Sequence, residues 1–116
     1  MTIPRFIFAQ KETVWVAQTT TNAYADLGVA WAKKGFKTTS VVIMNTGLAN
    51  GAKVKVLGST DGVNFTTEIQ AEAIIAAAGS LTVNFTTYYT HIKIQILDQN
   101  AGDHTTVSAS ACAIAI

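Results

Sequence analysis

The chain contains two histidines, His91 and His104, and acid–base or metal chemistry near neutral pH would have to use one of them. His104 follows Asp103 and shares a loop with Asp98, so Asp98, Asp103 and His104 are the best-placed metal candidates in the sequence. Their spacing matches neither a zinc site nor an EF-hand loop. The expectation is a loop that uses Asp and Asn for its own turn hydrogen bonds, with no metal and no cofactor. Glu68 and Glu72 could serve as paired carboxylates for glycoside hydrolysis, but solvated surface charges are the simpler reading. Cys112, the only cysteine, sits in the apolar run Ser110-Ala111-Cys112-Ala113-Ile114 and reads as a small buried hydrophobe. There is no phosphate-cradling glycine loop and no evident nucleophile paired with a base, so no enzyme is expected.

Charge narrows the classes further. Eight basic residues meet seven acidic ones in 116 residues, a formal net charge of +1, and this argues against nucleic acid as the main partner. Lys33, Lys34, Lys37, Lys53 and Lys55 would form one basic patch if their two segments adjoin, suited to an acidic protein surface. Charged residues make up 13% of the chain against roughly 25% in ordinary soluble proteins, and 49% are hydrophobic. Disorder is excluded by that balance, and the surface looks fit for burial. The length supports a single domain over residues 1–116. No apolar run approaches a membrane span, and the short run Phe6-Ile7-Phe8-Ala9 is too brief for a secretory signal, so synthesis inside a cell is the expectation.

The elements that must position these residues are strands. Ile92, Ile94 and Ile96 alternate with His91, Lys93 and Gln95; Leu81, Val83 and Phe85 alternate with Thr82, Asn84 and Thr86; Val54 and Val56 alternate with Lys53 and Lys55. Thr13–Gln18 and Thr38–Asn45 are rich in β-branched residues, and Phe65–Gln70 forms a further strand. In Thr105–Ile116 both faces look buried toward the end. Turns fall at Asn45-Thr46-Gly47, Asn50-Gly51, Asp61-Gly62 and Ala78-Gly79-Ser80. Two stretches admit another reading. Ala23–Lys34 could be a short helix capped by Asn22 and closed by Gly35, and Glu68–Ala78 leaves a single helical turn and an extended crossover equally open. The pattern predicts an all-β antiparallel sandwich or jelly roll of seven or eight short strands.

The run from Asn45 to Phe65, with its Ser59-x-Asp61-Gly62-x-Asn64-Phe65 ending, resembles a hairpin of discoidin-like and galactose-binding-like modules. Tyr89-Thr90-His91-Ile92-Lys93-Ile94-Gln95-Ile96 looks like the returning strand of that family. No ligand residue carries over; Asp61 and Gly62 carry over as turn formers. In size, low charge and Thr/Ala-rich strands the chain also resembles small virion proteins of tailed phages, of the capsid decoration or cement type. That resemblance implies a structural protein on the capsid surface, made in the host cytoplasm. Its partners would be the major capsid protein and copies of itself, with a trimer at a threefold position as the expected oligomer, and neither nucleic acid nor membrane. Expected interface residues are Phe6, Phe8, Tyr88, Tyr89, Ile114 and Ile116. The competing expectation is a carbohydrate-binding module that stacks a sugar on Tyr88, Tyr89 or Trp31.

Overall fold

The computed structural model describes residues 10–114, and Phe6, Phe8 and Ile116 lie outside the described residues. Nine strands are formed among them: β1 (Gln10–Thr19), β2 (Ala25–Asp26), β3 (Trp31–Ala32), β4 (Thr38–Asn45), β5 (Ala52–Ser59), β6 (Thr67–Ile75), β7 (Ser80–Phe85), β8 (His91–Asp98) and β9 (Thr106–Ile114). They build two antiparallel sheets, one in the order β1-β9-β4-β7 and one in the order β2-β8-β5-β6, with β3 also paired to β8.

β2 and β3 act as one interrupted edge strand. Ala25 pairs with Ile96 and Trp31 with Ile92, so both segments run along β8 in the same sense. Between them Leu27 turns fully inward and donates its N–H to the Ile94 carbonyl at 2.8 Å, while Val29 projects into solvent. Counted this way the chain has eight strands, and its pairs nest. The first strand pairs with the last (β1 with β9), the second with the next to last (β2/β3 with β8), then β4 with β7 and β5 with β6. One long antiparallel hairpin rolled around itself gives this order, which defines a jelly roll. The expected fold class is therefore the observed one. The short helix considered for Ala23–Lys34 does not form, because tertiary pairing with β8 overrides local propensity. The Glu68–Ala78 stretch is extended through Ile75 and turns at Ala76–Gly79 to cross between the sheets.

Alternation fixes which side chains meet between the sheets. Val41, Ile43, Val83, Val107, Ala109, Ala111 and Ala113 from one sheet face Val54, Val56, Ile92, Ile94 and Ile96 from the other. Trp15 and Trp31 close the side of the sandwich where β1 and β3 form the sheet edges, with rings 6.2 Å apart and nearly perpendicular. The Trp15 indole N–H donates to the Val29 carbonyl at 3.0 Å, which ties the interrupted strand to β1.

Candidate functional site

The two outer faces of the sandwich differ in chemistry. On the β2-β8-β5-β6 sheet, Lys55 pairs with Glu68 at 3.6 Å and lies over the Tyr24 ring at 4.4 Å. Lys93 pairs with Asp26 at 3.4 Å and lies over Phe65 at 4.6 Å. Tyr24 donates its hydroxyl to Glu72, and burial followed by that carboxylate pushes its phenol well above the usual range. Lys55 and Lys93 are thus matched to neighbours on the same face, as on a solvated surface.

The β1-β9-β4-β7 sheet presents a different surface. Its registers align outward side chains in rows: Glu12, Cys112, Ser40 and Asn84 in one, and Val14, Ser110, Val42 and Thr82 in the next. A third row carries Ser108, Met44 and Ser80. Among the outward side chains of these four strands Glu12 is the sole charged group. Val14 is 72% exposed and Met44 43% exposed. Because β9 carries Ser108, Ser110 and Cys112 outward, it lies lower than the Val14 and Val42 side chains on its flanks. A hollow of about 320 Å³ runs along it, bounded by Glu12 and Val14 on one side and Ser40 and Val42 on the other. A second hollow, of about 510 Å³, continues between β4 and β7 over Phe85, Cys112 and Ile114. Cys112 is thus half-buried on this outer face rather than in the core.

The other sequence candidates separate. Asp98 and His104 do come together: Asp98 is buried and accepts from Thr20 Oγ1 at 2.5 Å, and His104 Nδ1 lies 3.0 Å from Oδ1 and 2.9 Å from Oδ2. The hydrogen bond of His104 is directed at Oδ1, which leaves Oδ2 with the ion-pair contact alone. Asp103 is exposed, and among the described residues no three His, Cys, Asp or Glu side chains converge as a metal site. Thr20 bonds the carboxylate and not the imidazole, so the trio lacks the nucleophile-to-base contact that acyl transfer needs. Burial opposes ionisation of Asp98, but hydrogen bonds from Thr20 and His104 outweigh it and hold the carboxyl below its ordinary range.

The five lysines do not form one patch. Lys33 is fully buried, with Nζ donating to the Phe36 carbonyl at 2.7 Å and lying over Phe85 and Tyr88 at 5.3 and 5.7 Å. Its backbone N–H bonds Thr90, whereas Lys53 stands opposite Leu97 on the same strand, roughly 23 Å further along at 3.3 Å per residue. The stacking aromatics also part. Trp31 is in the core, and Tyr89 packs edge-on to Phe85 and over Gly58, where a Cβ would come within 2.6 Å of its ring. Tyr88 is 44% exposed and accepts a hydrogen bond from the Gly35 N–H at 3.2 Å. The Asp61 hairpin is closed on itself: Asn64 and Val63 N–H groups each donate to Oδ1 at 2.8 Å, as does the Ser59 hydroxyl, and these bonds hold the carboxyl well below the usual range.

The uncharged face escaped the sequence reading. Periodicity assigned the outward residues of each strand, but only the register sets their rows side by side.

Among the described residues the molecule is therefore a small jelly-roll β-sandwich with one charged outer face and one on which Glu12 is the sole charge. No protein-family model matches the chain, and no curated protein matches it in sequence. Solved structures do share its fold. It is similar to the SPBc2 prophage-derived protein YomS, at 10% identity over 97% of this chain and 99% of that one, with a TM-score of 0.56. It is similar to a chain from the disulfide-linked pili of Bacillus endospore appendages, at 13% identity over 92% and 88%, with a TM-score of 0.54. It is also similar to part of a chain from infectious bursal disease virus, Gx strain, at 10% identity and a TM-score of 0.52. That match covers 92% of this chain and 32% of the viral one. At these identities the likeness establishes the fold.

Proposed function

We propose that this chain is a structural virion component, a decoration or cement protein that stabilises a phage head by bridging neighbouring capsid subunits, and that it acts as one domain over residues 1–116. The observation that carries this reading is the uncharged outer face of the β1-β9-β4-β7 sheet. A four-stranded face with a single carboxylate gives up few hydration-stabilised charges on burial, and protein interfaces are depleted of charge at their centres. Likeness in fold to a prophage protein and to part of a viral chain supports the setting. The mechanism is contact area: many modest contacts, repeated over a shell, must break before the shell ruptures. Ile114 on the uncharged face and exposed Tyr88 remain interface residues in this reading, with Phe6, Phe8 and Ile116 from outside the described residues; half-buried Tyr89 is engaged edge-on with Phe85. The protein works by binding and not by catalysis, without metal or cofactor. Undecorated capsids incubated with the purified protein and sedimented test this. Co-sedimentation at a saturating, symmetry-related stoichiometry, with capsids that then resist heat better, is expected. Protein left in the supernatant at every ratio overturns the reading, and binding on a glycan array would replace it.

A further inference from the structure

An uncharged face could be covered by a shell subunit or by another copy of the chain, and the register of the sheet distinguishes these. The hollow on β9 is floored by Ser110 and Cys112, and the neighbouring strand β4 raises Val42 beside Ser110 and Met44 beside Ser108. A two-fold axis laid along the strands, between β9 and β4, places β9 of one copy over β4 of the other and keeps each row at its height. Val42 of each copy then falls on Ser110 of its mate, and Met44 on Ser108. The same rotation sets β1 over β7, so Glu12 meets the neutral Asn84 of the mate and not another carboxylate. The face is its own complement in shape and in charge, as an isologous interface requires. The opposite face carries Lys53, Lys55 and Lys93, whose charges would lose hydration on burial, and it is left to solvent.

Area fits the same arrangement. Four strands at about 4.8 Å spacing and eight residues at about 3.3 Å give a flat footprint of roughly 500 Å². Side-chain relief raises this toward the 600–800 Å² per partner of small specific interfaces. From these observations we infer that the uncharged face is the interface of a two-fold homodimer, in which Val42 of each copy seats in the β9 hollow of the other. This rests on the assembly reading and narrows it: a second copy covers the uncharged face in a two-fold pair in place of the expected trimer, and each copy meets a shell subunit through the end of the sandwich that carries exposed Tyr88, so that the pair makes the bridge.

Light scattering across a protein dilution series, without capsids, tests the pairing. The expected weight-average mass rises with concentration from 12.3 kDa toward twice that value. Val42→Lys and Ser110→Glu should each hold the protein at monomer mass, and Gln70→Lys on the charged sheet should leave the dimer intact. An equimolar mixture of the Val42→Lys and Ser110→Glu proteins should recover dimers, because the new charges face each other across the axis. The Cys112 thiol should react faster with a soluble disulfide reagent in either single variant than in the parent at the same high concentration. Parent protein that stays monomeric at all concentrations overturns the inference, as does a mixture that fails to recover dimers while both variants keep a cooperative thermal transition. Monomers that still sediment with capsids would leave the decoration reading standing and remove only the dimer. Dimers that ignore capsids would do the reverse.

Discussion

Asp98 and His104 join two chemical environments: the carboxylate is 3% exposed between the sheets, while the imidazole that reaches it at 2.9 Å stands half in solvent. Thr20 bonds the same carboxylate at 2.5 Å from the end of β1, and the Thr105 N–H donates to the Thr20 hydroxyl at 2.9 Å. The ends of β1, β8 and β9 are thereby tied through one ionised group. Asp98 has its folded-state pKa held below the ordinary value, so the folded state keeps the carboxyl ionised at pH values where the unfolded chain protonates it. The stability it contributes is complete above the unfolded carboxyl pKa and is lost as pH falls through the folded one. Denaturant melts from pH 6 downward should show that loss, and Asp98→Asn should flatten the acid limb. An unchanged acid limb in the variant would show that other carboxylates drive acid unfolding.

Lys33 gives the same sign of pH slope for the opposite reason, because folding disfavours its charge. Burial lowers its ammonium to about 8 from an ordinary 10.5; among the described residues the Phe36 carbonyl and two aromatic faces hold the charge. Between those two values the unfolded chain holds a proton that the folded chain has released, so stability rises with pH through that window. Lys33→Met keeps the stem's packing and removes the titration. The slope of stability against pH from 8 to 10 should flatten, and near pH 7 the variant should be more stable by an amount on the order of 1–3 kcal/mol. A parent protein whose stability does not rise over that window would contradict this account of the buried charge.

Gly62 tests the hairpin. Its φ is +79°, and a Cβ there would sit 2.8 Å from His91 Cε1. Gly62→Ala should therefore destabilise through both backbone strain and steric overlap, by about 2–4 kcal/mol in all. In a His91→Ala background the overlap disappears and only the strain of about 1 kcal/mol remains. Urea midpoints for the four proteins of this cycle separate the two contributions. Equal losses in both backgrounds would mean that the His91 ring moves aside freely.

The Asp61-Gly62 turn was legible because its residues lie within a few positions of one another, and so were the strands at Thr38–Asn45 and His91–Asp98. Period-two alternation fixes which of their residues face inward wherever one side is buried. The nesting of β1 with β9 and of β4 with β7 was not legible, because alternation carries no record of which strand lies alongside. Ala25–Asp26 and Trp31–Ala32 are too short for a period to show, and their Ala and capping residues suggested a helix that pairing with Ile92 and Ile96 overrules. Lys33 was misplaced for a different reason. A lysine's long apolar stem can be packed between rings such as Phe85 and Tyr88, and composition sees only the charge.

Asn45 shows how far a buried polar residue can escape sequence reading, since Asn45-Thr46-Gly47 reads as an ordinary turn. It is 1% exposed and bonds four groups: its Nδ2 donates to the Asn50 carbonyl at 2.8 Å and the Ile75 carbonyl at 3.2 Å. Its Oδ1 accepts from the Gly47 N–H at 3.1 Å and the Thr105 hydroxyl at 2.7 Å. The ends of β4, β6 and β9 and the loop into β5 converge on this one amide. Asn45→Ala would leave several buried donors and acceptors without partners, each costing about 1–3 kcal/mol less what entering water recovers. A net loss of about 3–4 kcal/mol is expected, a large fraction of the stability of a domain this size. Asn45→Asp keeps the acceptor oxygen for Gly47 and Thr105 but turns a negative charge toward the carbonyls of Asn50 and Ile75. It should therefore be at least as damaging at neutral pH and partly recover near pH 4, where a protonated carboxyl can donate to one carbonyl. Thermal melts of both variants at pH 7 and pH 4 measure this, and an Asp variant that melts like the parent at pH 7 would show that the amide's donors are dispensable.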